Sequence, residues 1–357
     1  MWLRTFGGSI AVTAVGLVGA YLYAGPAGVA LAAILGVLEL TLSFDNAVVN
    51  AAVLKAMNAF WQKLFLTAGI VIAVFGMRLA FPLLVVGVTA SLSPTSAISL
   101  AMERGDPHTP GTYGFLLHQA HPAIAAFGGI FLLTLFCDFV FERREITWMS
   151  WVERPLARIG QLEQLSIAVS LFVIAVAALE LAPEGRSTTV VVSGVFGLLT
   201  YVLVKALSAR FDPEEHGGSL KLKVGRAALM SFLYLEVLDA TFSFDGVVGA
   251  FAITSDPIII AVGLGLIGAT FVRSLTVFLV RRRTLDEYVY LEHGAHWAIG
   301  ALAVLLLCTI KFEIPELVTG LIGIGFILLA FASSVVHNRR ATPVRPRGGG
   351  SFDTART

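Results

Sequence analysis

The chain has 357 residues, of which 57% are hydrophobic and only 14% are charged, and its mean hydropathy is +0.83. A soluble domain carries about 25% charged residues, so this composition excludes a water-soluble globular protein and predicts a surface that faces lipid. The formal net charge is +1, and we expect no nucleic acid among the partners.

Apolar segments long enough to cross a bilayer recur along the chain. A membrane helix needs about 20 mainly apolar residues. On this basis the sequence predicts ten spans, at 9–24, 27–53, 64–90, 120–140, 165–182, 188–208, 227–253, 257–280, 295–310 and 315–336. The first segment lacks a small-residue cleavage site, so we interpret it as a retained span rather than a signal peptide. The Pro-, Gly- and Arg-rich tail at 341–357 is predicted to be disordered.

Lysine and arginine fall mainly in every second loop between these spans. Because such residues are retained on the cytoplasmic side, the alternation predicts a protein of the cell membrane with both termini in the cytoplasm. The loop at 91–119 is then external and the loop at 141–164 is cytoplasmic. Trp148 and Trp151 in the cytoplasmic loop indicate either an amphipathic helix in the membrane interface or an ordinary tryptophan belt at a helix end.

Two segments of the chain match each other at a constant offset of 200 residues. The first, at 38–51, reads L-E-L-T-L-S-F-D-N-A-V-V-N-A, and the second, at 238–251, reads L-D-A-T-F-S-F-D-G-V-V-G-A-F. The threonine, serine, phenylalanine, aspartate and one valine are identical without a gap, and Glu39 stands at the position of Asp239. Each copy is followed by a span that contains a single arginine. Such a shared acidic string is far less common by chance than general similarity between apolar helices.

The two copies lie on spans that run in opposite directions in the predicted topology. Inverted repeats of this kind build a binding site near the bilayer midplane, between the two halves. We therefore predict an all-α polytopic membrane protein with about ten transmembrane helices in two inverted five-helix repeats. The first repeat covers 1–182 and the second covers 183–340.

Several charged residues lie well inside the predicted spans. They are five acids and two arginines: Glu39, Asp45, Glu236, Asp239, Asp245, Arg78 and Arg273. A charge at the bilayer centre costs at least about 2.5–3.5 kcal/mol, so the excess negative charges must be protonated, hydrated or paired with a bound cation. Hard divalent ions such as Mn²⁺ and Mg²⁺ favour the oxygen ligands that these carboxylates, Asn46 and the nearby serines supply. An acid–arginine pair that only locks two helices together is the alternative interpretation.

Helical spacing limits how the acids can share one ion. Glu39 and Asp45 are about 120° apart around a regular helix and about 9 Å apart along it. Either the helix unwinds near S-F-D, where Gly246 of the second copy would help, or the upper and lower acids form successive stations. Glu236 and Asp239 are three residues apart and share one helix face.

The acidic strings also carry a family resemblance. E-L-T-L-S-F-D-N and F-S-F-D-G-V-V-G-A-F-A-I-T-S-D-P, followed by a glycine-rich span with Arg273, resemble the TerC family of integral membrane proteins, and more narrowly a branch with an uncharacterised domain. The resemblance covers 28–90 and 225–310. It implies a link to tellurium resistance and, as in several members, to export of Mn²⁺. Where the family pattern has a serine after the second aspartate, this chain has Gly246, which removes one ligand.

The resemblance and the burial of the acids together define a candidate metal site. The resemblance implies four ligands, which are Asp45, Asn46, Asp239 and Asp245. Burial adds Glu39 and Glu236 to this set. Arg78 and Arg273 are expected to balance the negative charge. We expect a secondary transporter, not an enzyme, that exports a divalent cation such as manganese, can exchange it for protons, and has no cofactor besides the transported ion. The alternative is a non-transporting membrane scaffold in the response to metal or tellurite stress.

Overall fold

The computed structural model describes residues 2–69, 90–103, 108–162, 164–211, 222–254, 256–282 and 288–341, together with isolated residues between 71 and 105. Within these ranges the chain is all-α, apart from one isolated β-bridge. The helices, in chain order, are α1 (Trp2–Leu42), α2 (Phe44–Lys55), α3 (Ala59–Leu64), α4 (Pro94–Met102), α5 (Tyr113–Phe141), α6 (Ser150–Ile159), α7 (Leu165–Val176), α8 (Ser187–Phe211), α9 (Gly225–Ile253), α10 (Pro257–Ile260), α11 (Ala269–Arg282), α12 (Leu291–Cys308) and α13 (Glu316–Ala341). π-Helical turns extend α3 over Phe65–Gly69, extend α7 over Ala177–Leu181, and join α10 to α11 over Ala261–Gly268.

Among the described residues, six helical segments are long and apolar enough to cross a membrane. They are Thr5–Thr41, Tyr113–Phe141, Ser187–Leu207, Pro257–Val280, Leu291–Cys308 and Val318–Arg339. The prediction of an all-α, multi-pass membrane protein is therefore confirmed. The predicted count of ten is not confirmed, because the segment 64–90 is only partly described, α7 is short, and α9 contains several acids. The predicted tail beyond α13 lies outside the described residues.

The first long segment, α1, is a helical hairpin rather than one straight helix. At Ala24 and Gly25 the backbone leaves the helical conformation, and Gly25 has a φ of +64°, which glycine adopts without a steric penalty. A Cβ placed on Gly28 would lie 2.7 Å from the carbonyl oxygen of Ala20, although a straight helix would separate these two residues by about 12 Å. The chain therefore reverses direction between the first two predicted spans.

Helices α2 and α9 carry the two copies of the repeat and lie antiparallel. At one end, the backbone that follows α2 pairs with the backbone that precedes α9, since Met57 and Lys223 form the β-bridge. Further along, Asn46 of α2 is hydrogen-bonded to Asp239 of α9. Because residue numbers fall along one helix as they rise along the other, the two copies run in opposite directions.

The distortion in the acidic helices lies in the first copy, not in the second. Helix α1 gives way to α2 at Ser43, whose φ and ψ are −99° and 14°. Helical hydrogen bonds continue through it, since the N–H of Ser43 donates to the carbonyl of Glu39 and the N–H of Ala47 donates to the carbonyl of Ser43. Helix α9 is continuous, so of the two S-F-D strings the first carries the distortion, and Gly246 does not unwind the second. One helical glycine costs only about 1 kcal/mol, whereas broken backbone hydrogen bonds in the membrane cost several.

Each acidic helix is followed by the same two local features. Asn58 caps the N-terminus of α3 by accepting a hydrogen bond from the N–H of Trp61, and Asp256 caps α10 in the same manner. A π-helical turn then follows each cap, over Phe65–Gly69 after the first copy and over Ala261–Gly268 after the second. The segments that follow the two copies therefore share a backbone pattern.

The largest hydrophobic core forms around α5, and small residues let its neighbours approach closely. A Cβ added to Gly197 of α8 would overlap the backbone of Phe127, and one added to Gly129 would lie 2.7 Å from the Leu307 side chain on α12. Such small-residue contacts replace the hydrophobic driving force that is missing between helices in lipid. Residues of α2 and α9 belong to the same core, so the bundle holds both acidic helices in place.

Candidate functional site

The two copies of the repeat meet at a buried hydrogen bond. Nδ2 of Asn46 donates to Oδ1 of Asp239 at 2.5 Å, and these residues are only 1% and 9% exposed. In the second copy Gly246 stands at the position of Asn46, and in the first copy Glu39 stands at the position of Asp239. Because glycine has no side chain, the symmetry-related side-chain bond cannot form. The link between the two copies is therefore asymmetric.

Glu236 lies beside this hydrogen bond, and no described group donates a hydrogen bond to its carboxyl group. It precedes Asp239 by three residues on the same face of α9 and is 7% exposed. Neither of its carboxyl oxygens has a hydrogen-bond partner among the described residues. Gly69 lies against it, since a Cβ on Gly69 would be 3.0 Å from Oε1. A buried carboxyl group in this situation must be protonated, or it must bind water or a cation.

Asn50 supplies a further oxygen at the level of Glu236. It follows Asn46 by one turn on α2, while Glu236 precedes Asp239 by about one turn on the antiparallel α9, so both lie at a similar height. Oδ1 of Asn50 is also buried and has no hydrogen-bond partner in the described part of the chain. Two neighbouring helices therefore present three oxygen atoms at this level that lack a described donor.

Glu39 is held by packing and by a local partner. Its side chain is 1% exposed, and Oε1 accepts a hydrogen bond of 2.5 Å from Oγ of Ser43. Gly268, at the end of the π-helical turn before α11, packs on the Cβ and Cγ atoms of Glu39 and leaves no space for a side chain of its own. The structure thus brings Asn46 and Asp239 into contact and bonds Glu39 to Ser43, at the junction of α1 and α2.

The structure describes only some of the remaining predicted site residues. Three of them have side chains outside the described residues: Asp45, Asp245 and Arg78. Arg273 lines a cavity of about 600 Å³ between α1, α3 and α11, together with Ser9, Lys63 and Ser274. Among the described side chains, no three of His, Cys, Asp and Glu gather into a metal cluster. The described core of the site is therefore the bond between α2 and α9 with its neighbouring oxygen atoms.

A further buried carboxylate lies at the end of the bundle. It is not among the acids inside the predicted spans, because it lies in the loop at 141–164. Glu153 of α6 is 5% exposed and accepts hydrogen bonds from Nε1 of Trp297 at 3.0 Å and from the backbone N–H groups of Trp148 and Met149. Nδ1 of His293 lies 3.3 Å from the same carboxylate. Burial raises the pKa of Glu153, but the hydrogen bonds from His293 and Trp297 outweigh burial, and the pKa is lower than usual. The donors around Glu153 therefore favour its charged form.

A family model described as a protein of unknown function, DUF475, matches residues 44–341. The chain belongs to the DUF475 family. The DUF475 match begins at the start of α2, so it contains Asn46, Glu236 and Asp239 but not Glu39 or the α1 hairpin. Comparisons with curated proteins and with solved structures give no match.

Proposed function

We propose that this DUF475 protein is a secondary transporter that exports a divalent cation, with manganese as the leading candidate. The observation that carries the proposal is the set of buried oxygen atoms on Glu236 and Asn50 that lack a described donor. They lie next to the hydrogen bond that joins the two copies of the repeat. Oxygen atoms in a buried site without donors are complementary to a cation or to protons.

The ligand chemistry favours a hard divalent ion over zinc or copper. The candidate ligands are carboxylate and amide oxygens, which suit Mg²⁺, Ca²⁺ and Mn²⁺. Each amide presents one acceptor oxygen and each carboxylate presents two. The resemblance of the S-F-D strings to the TerC family favours manganese within this group, and it remains a prediction from sequence. Asp45 and Asp245 complete the proposed ligand set.

The proposed transport mechanism is alternating access between two inverted five-helix halves in a ten-span bundle. The antiparallel arrangement of α2 and α9 supports it. So does the shared order of acidic helix, polar cap and π-helical turn in the two halves. π-Helical turns occur frequently at functional sites in helices. Rocking of one half against the other would expose the site to each side in turn, and protonation of the same carboxylates would release the ion.

Transport of Mn²⁺ into inverted membrane vesicles tests the proposal directly. A manganese-sensitive dye in the lumen reports uptake after a pH gradient is imposed. We expect Asp239→Asn, Glu236→Gln, Asp45→Asn and Asp245→Asn each to lower the initial rate at least about tenfold, because losing one charged ligand costs more than 1.4 kcal/mol. Asp138→Asn is the matched control. Asp138 lies near the end of α5, bonded to Tyr201 and Lys205, and this variant should transport normally.

The same assay separates transport from the scaffold function. Equal Mn²⁺ flux from the wild type and from all four site variants would refute the proposed transporter. A scaffold predicts a different pattern, in which deletions within the loop at 141–164 or the tail at 341–357 abolish function and the acid substitutions do not.

A further inference from the structure

The loop between α5 and α7 contains an amphipathic helix whose apolar side is partly exposed. This side of α6 consists of five residues within about 140° of the helix circumference: Trp151, Val152, Pro155, Leu156 and Ile159. Trp151 is 80% exposed and Ile159 is 52% exposed. Arg154 and Arg158 lie on the adjacent arc of the helix. An exposed apolar side next to a basic side is typical of helices that lie in a membrane interface.

A basic cavity of about 270 Å³ lies beside this helix. Its charged lining consists of four arginines and two carboxylates: Arg143, Arg144, Arg154, Arg158, Glu142 and Glu153. Arg144 is paired with Glu142 at 2.6 Å. The other three arginines form no ion pair with any described residue. The four arginines outnumber the two carboxylates, so the cavity carries a net positive charge. Its volume is several times the roughly 30 Å³ that one water molecule occupies.

The helix that carries two of these arginines is fixed to the membrane bundle. Glu153 of α6 accepts the Nε1 hydrogen of Trp297 and lies 3.3 Å from Nδ1 of His293, both on α12. On the other side, Gly160 packs directly against the backbone of Phe141, where α5 ends. These contacts position α6 before any ligand arrives, so little ordering of the backbone is needed for binding.

We propose that the cavity binds the phosphodiester headgroup of an anionic phospholipid, with α6 lying in the interface beside it. Arginine forms strong, paired hydrogen bonds to phosphate oxygens, and three unpaired guanidinium groups here surround one cavity. Basic pockets at the ends of membrane helices recognise anionic headgroups. The exposed Trp151 places an interfacial anchor on the same helix. This site is separate from the carboxylates of the proposed transport site and does not depend on them.

Native mass spectrometry of the full chain, delipidated in detergent and titrated with lipid, tests the proposal. We expect phosphatidylglycerol to bind at least about tenfold more tightly than phosphatidylcholine. Each basic residue near a charged headgroup contributes about 1 kcal/mol, so Arg154→Gln should weaken phosphatidylglycerol binding about fivefold. The triple variant Arg143→Gln/Arg154→Gln/Arg158→Gln should weaken it about 100-fold. Phosphatidylcholine binding should not change in either variant.

Two controls keep the result interpretable. Arg339→Gln removes one exposed charge from α13 and should bind phosphatidylglycerol like the wild type. A triple arginine-to-lysine variant of the cavity keeps the charge and should retain most of the affinity, which separates lost binding from misfolding. The proposal is overturned if the triple glutamine variant binds phosphatidylglycerol normally or if the two lipids bind equally well. It is also overturned if soluble glycerol phosphate displaces the lipid at equal concentration, because the cavity would then hold a free phosphate compound.

Discussion

Two buried carboxyl groups of this protein have opposite surroundings. Glu153, at the end of the bundle, is 5% exposed and accepts hydrogen bonds from Trp297 and two backbone N–H groups, with His293 close by. Glu236, in the middle of α9, is 7% exposed and has no described hydrogen-bond partner. Because their burial is nearly equal, burial alone cannot distinguish the two. The number of donors around each carboxyl group does.

The difference indicates which acid serves the fold and which is available for a ligand. A buried carboxylate with several donors is stabilised as an ion and fixes the groups around it. One without donors destabilises the folded chain unless a proton, water or ion occupies its surroundings. We therefore expect the two residues to respond in opposite directions when the carboxyl group is removed.

The largest effect is expected for Glu153→Ala. The substitution removes the acceptor for Trp297 and for the two backbone N–H groups and leaves His293 without its carboxylate. Breaking a buried pair of this kind costs about 3 kcal/mol or more. The free energy of unfolding, measured by SDS titration with tryptophan fluorescence as readout, should fall by that amount. Glu153→Gln retains an acceptor oxygen and should lose about half as much. An unchanged unfolding midpoint for Glu153→Ala would show that the hydrogen bonds of this carboxylate do not stabilise the fold.

A smaller effect of opposite sign is expected for Glu236→Leu. Replacing an unsatisfied buried carboxyl group with a similar apolar volume should raise the free energy of unfolding by about 1 kcal/mol in the absence of divalent ions. The same SDS titration measures it. Asp138→Leu provides the contrast, because Asp138 is bonded to Tyr201 at 2.6 Å and this variant should be less stable. If Glu236→Leu were destabilised as strongly as Asp138→Leu, Glu236 would have donors in the folded protein.

The smallest effect is expected in the pH dependence of stability. The pKa of Glu153 is lower in the folded protein than its ordinary value, so its stabilising contribution is complete above the unfolded pKa of about 4.3. This contribution is lost as the pH falls through the lower, folded pKa. Thermal unfolding of the wild type and of Glu153→Gln, followed from pH 7 to pH 3, should therefore converge at the acid end. Parallel curves over the whole range would contradict this.

Much of the fold follows from local features of the sequence. The apolar run at 188–208 predicts α8, which spans Ser187–Phe211, and the Gly25–Pro26 pair lies where α1 reverses direction. The S-F-D strings are where the sequence allows unwinding, and Ser43 of the first string carries the distortion. The copy that carries it does not follow, since the glycine at 246 favours the second. Local propensity is a weak guide inside a membrane, because every backbone group there must stay hydrogen-bonded.

The candidate site follows from the sequence only as a set of residues. Asn46 and Asp239 were both predicted as ligands, but their mutual hydrogen bond depends on the register between α2 and α9, which no single segment contains. Glu153 was not predicted at all. The Ser-Trp-Val-Glu string that opens α6 resembles a capping box and is the local signal for it. Its partners on α12 lie about 140 residues away, beyond the reach of any local pattern.

The β-bridge between α2 and α9 limits how these two helices can move. The N–H of Lys223 donates to the carbonyl of Ala56, and the N–H of Asn58 donates to the carbonyl of Lys223, so the backbone itself joins the two helices at this end. Sliding along the helix axes would break both bonds, whereas a scissor-like rotation about the bridge would keep them. The Asn46–Asp239 bond lies about 16 Å from this hinge along α2 and about 24 Å along α9, so a rotation of about 10° would part the two side chains by about 3–4 Å. A bundle that is otherwise rigid could thus open its central link while its backbone pairing stays intact.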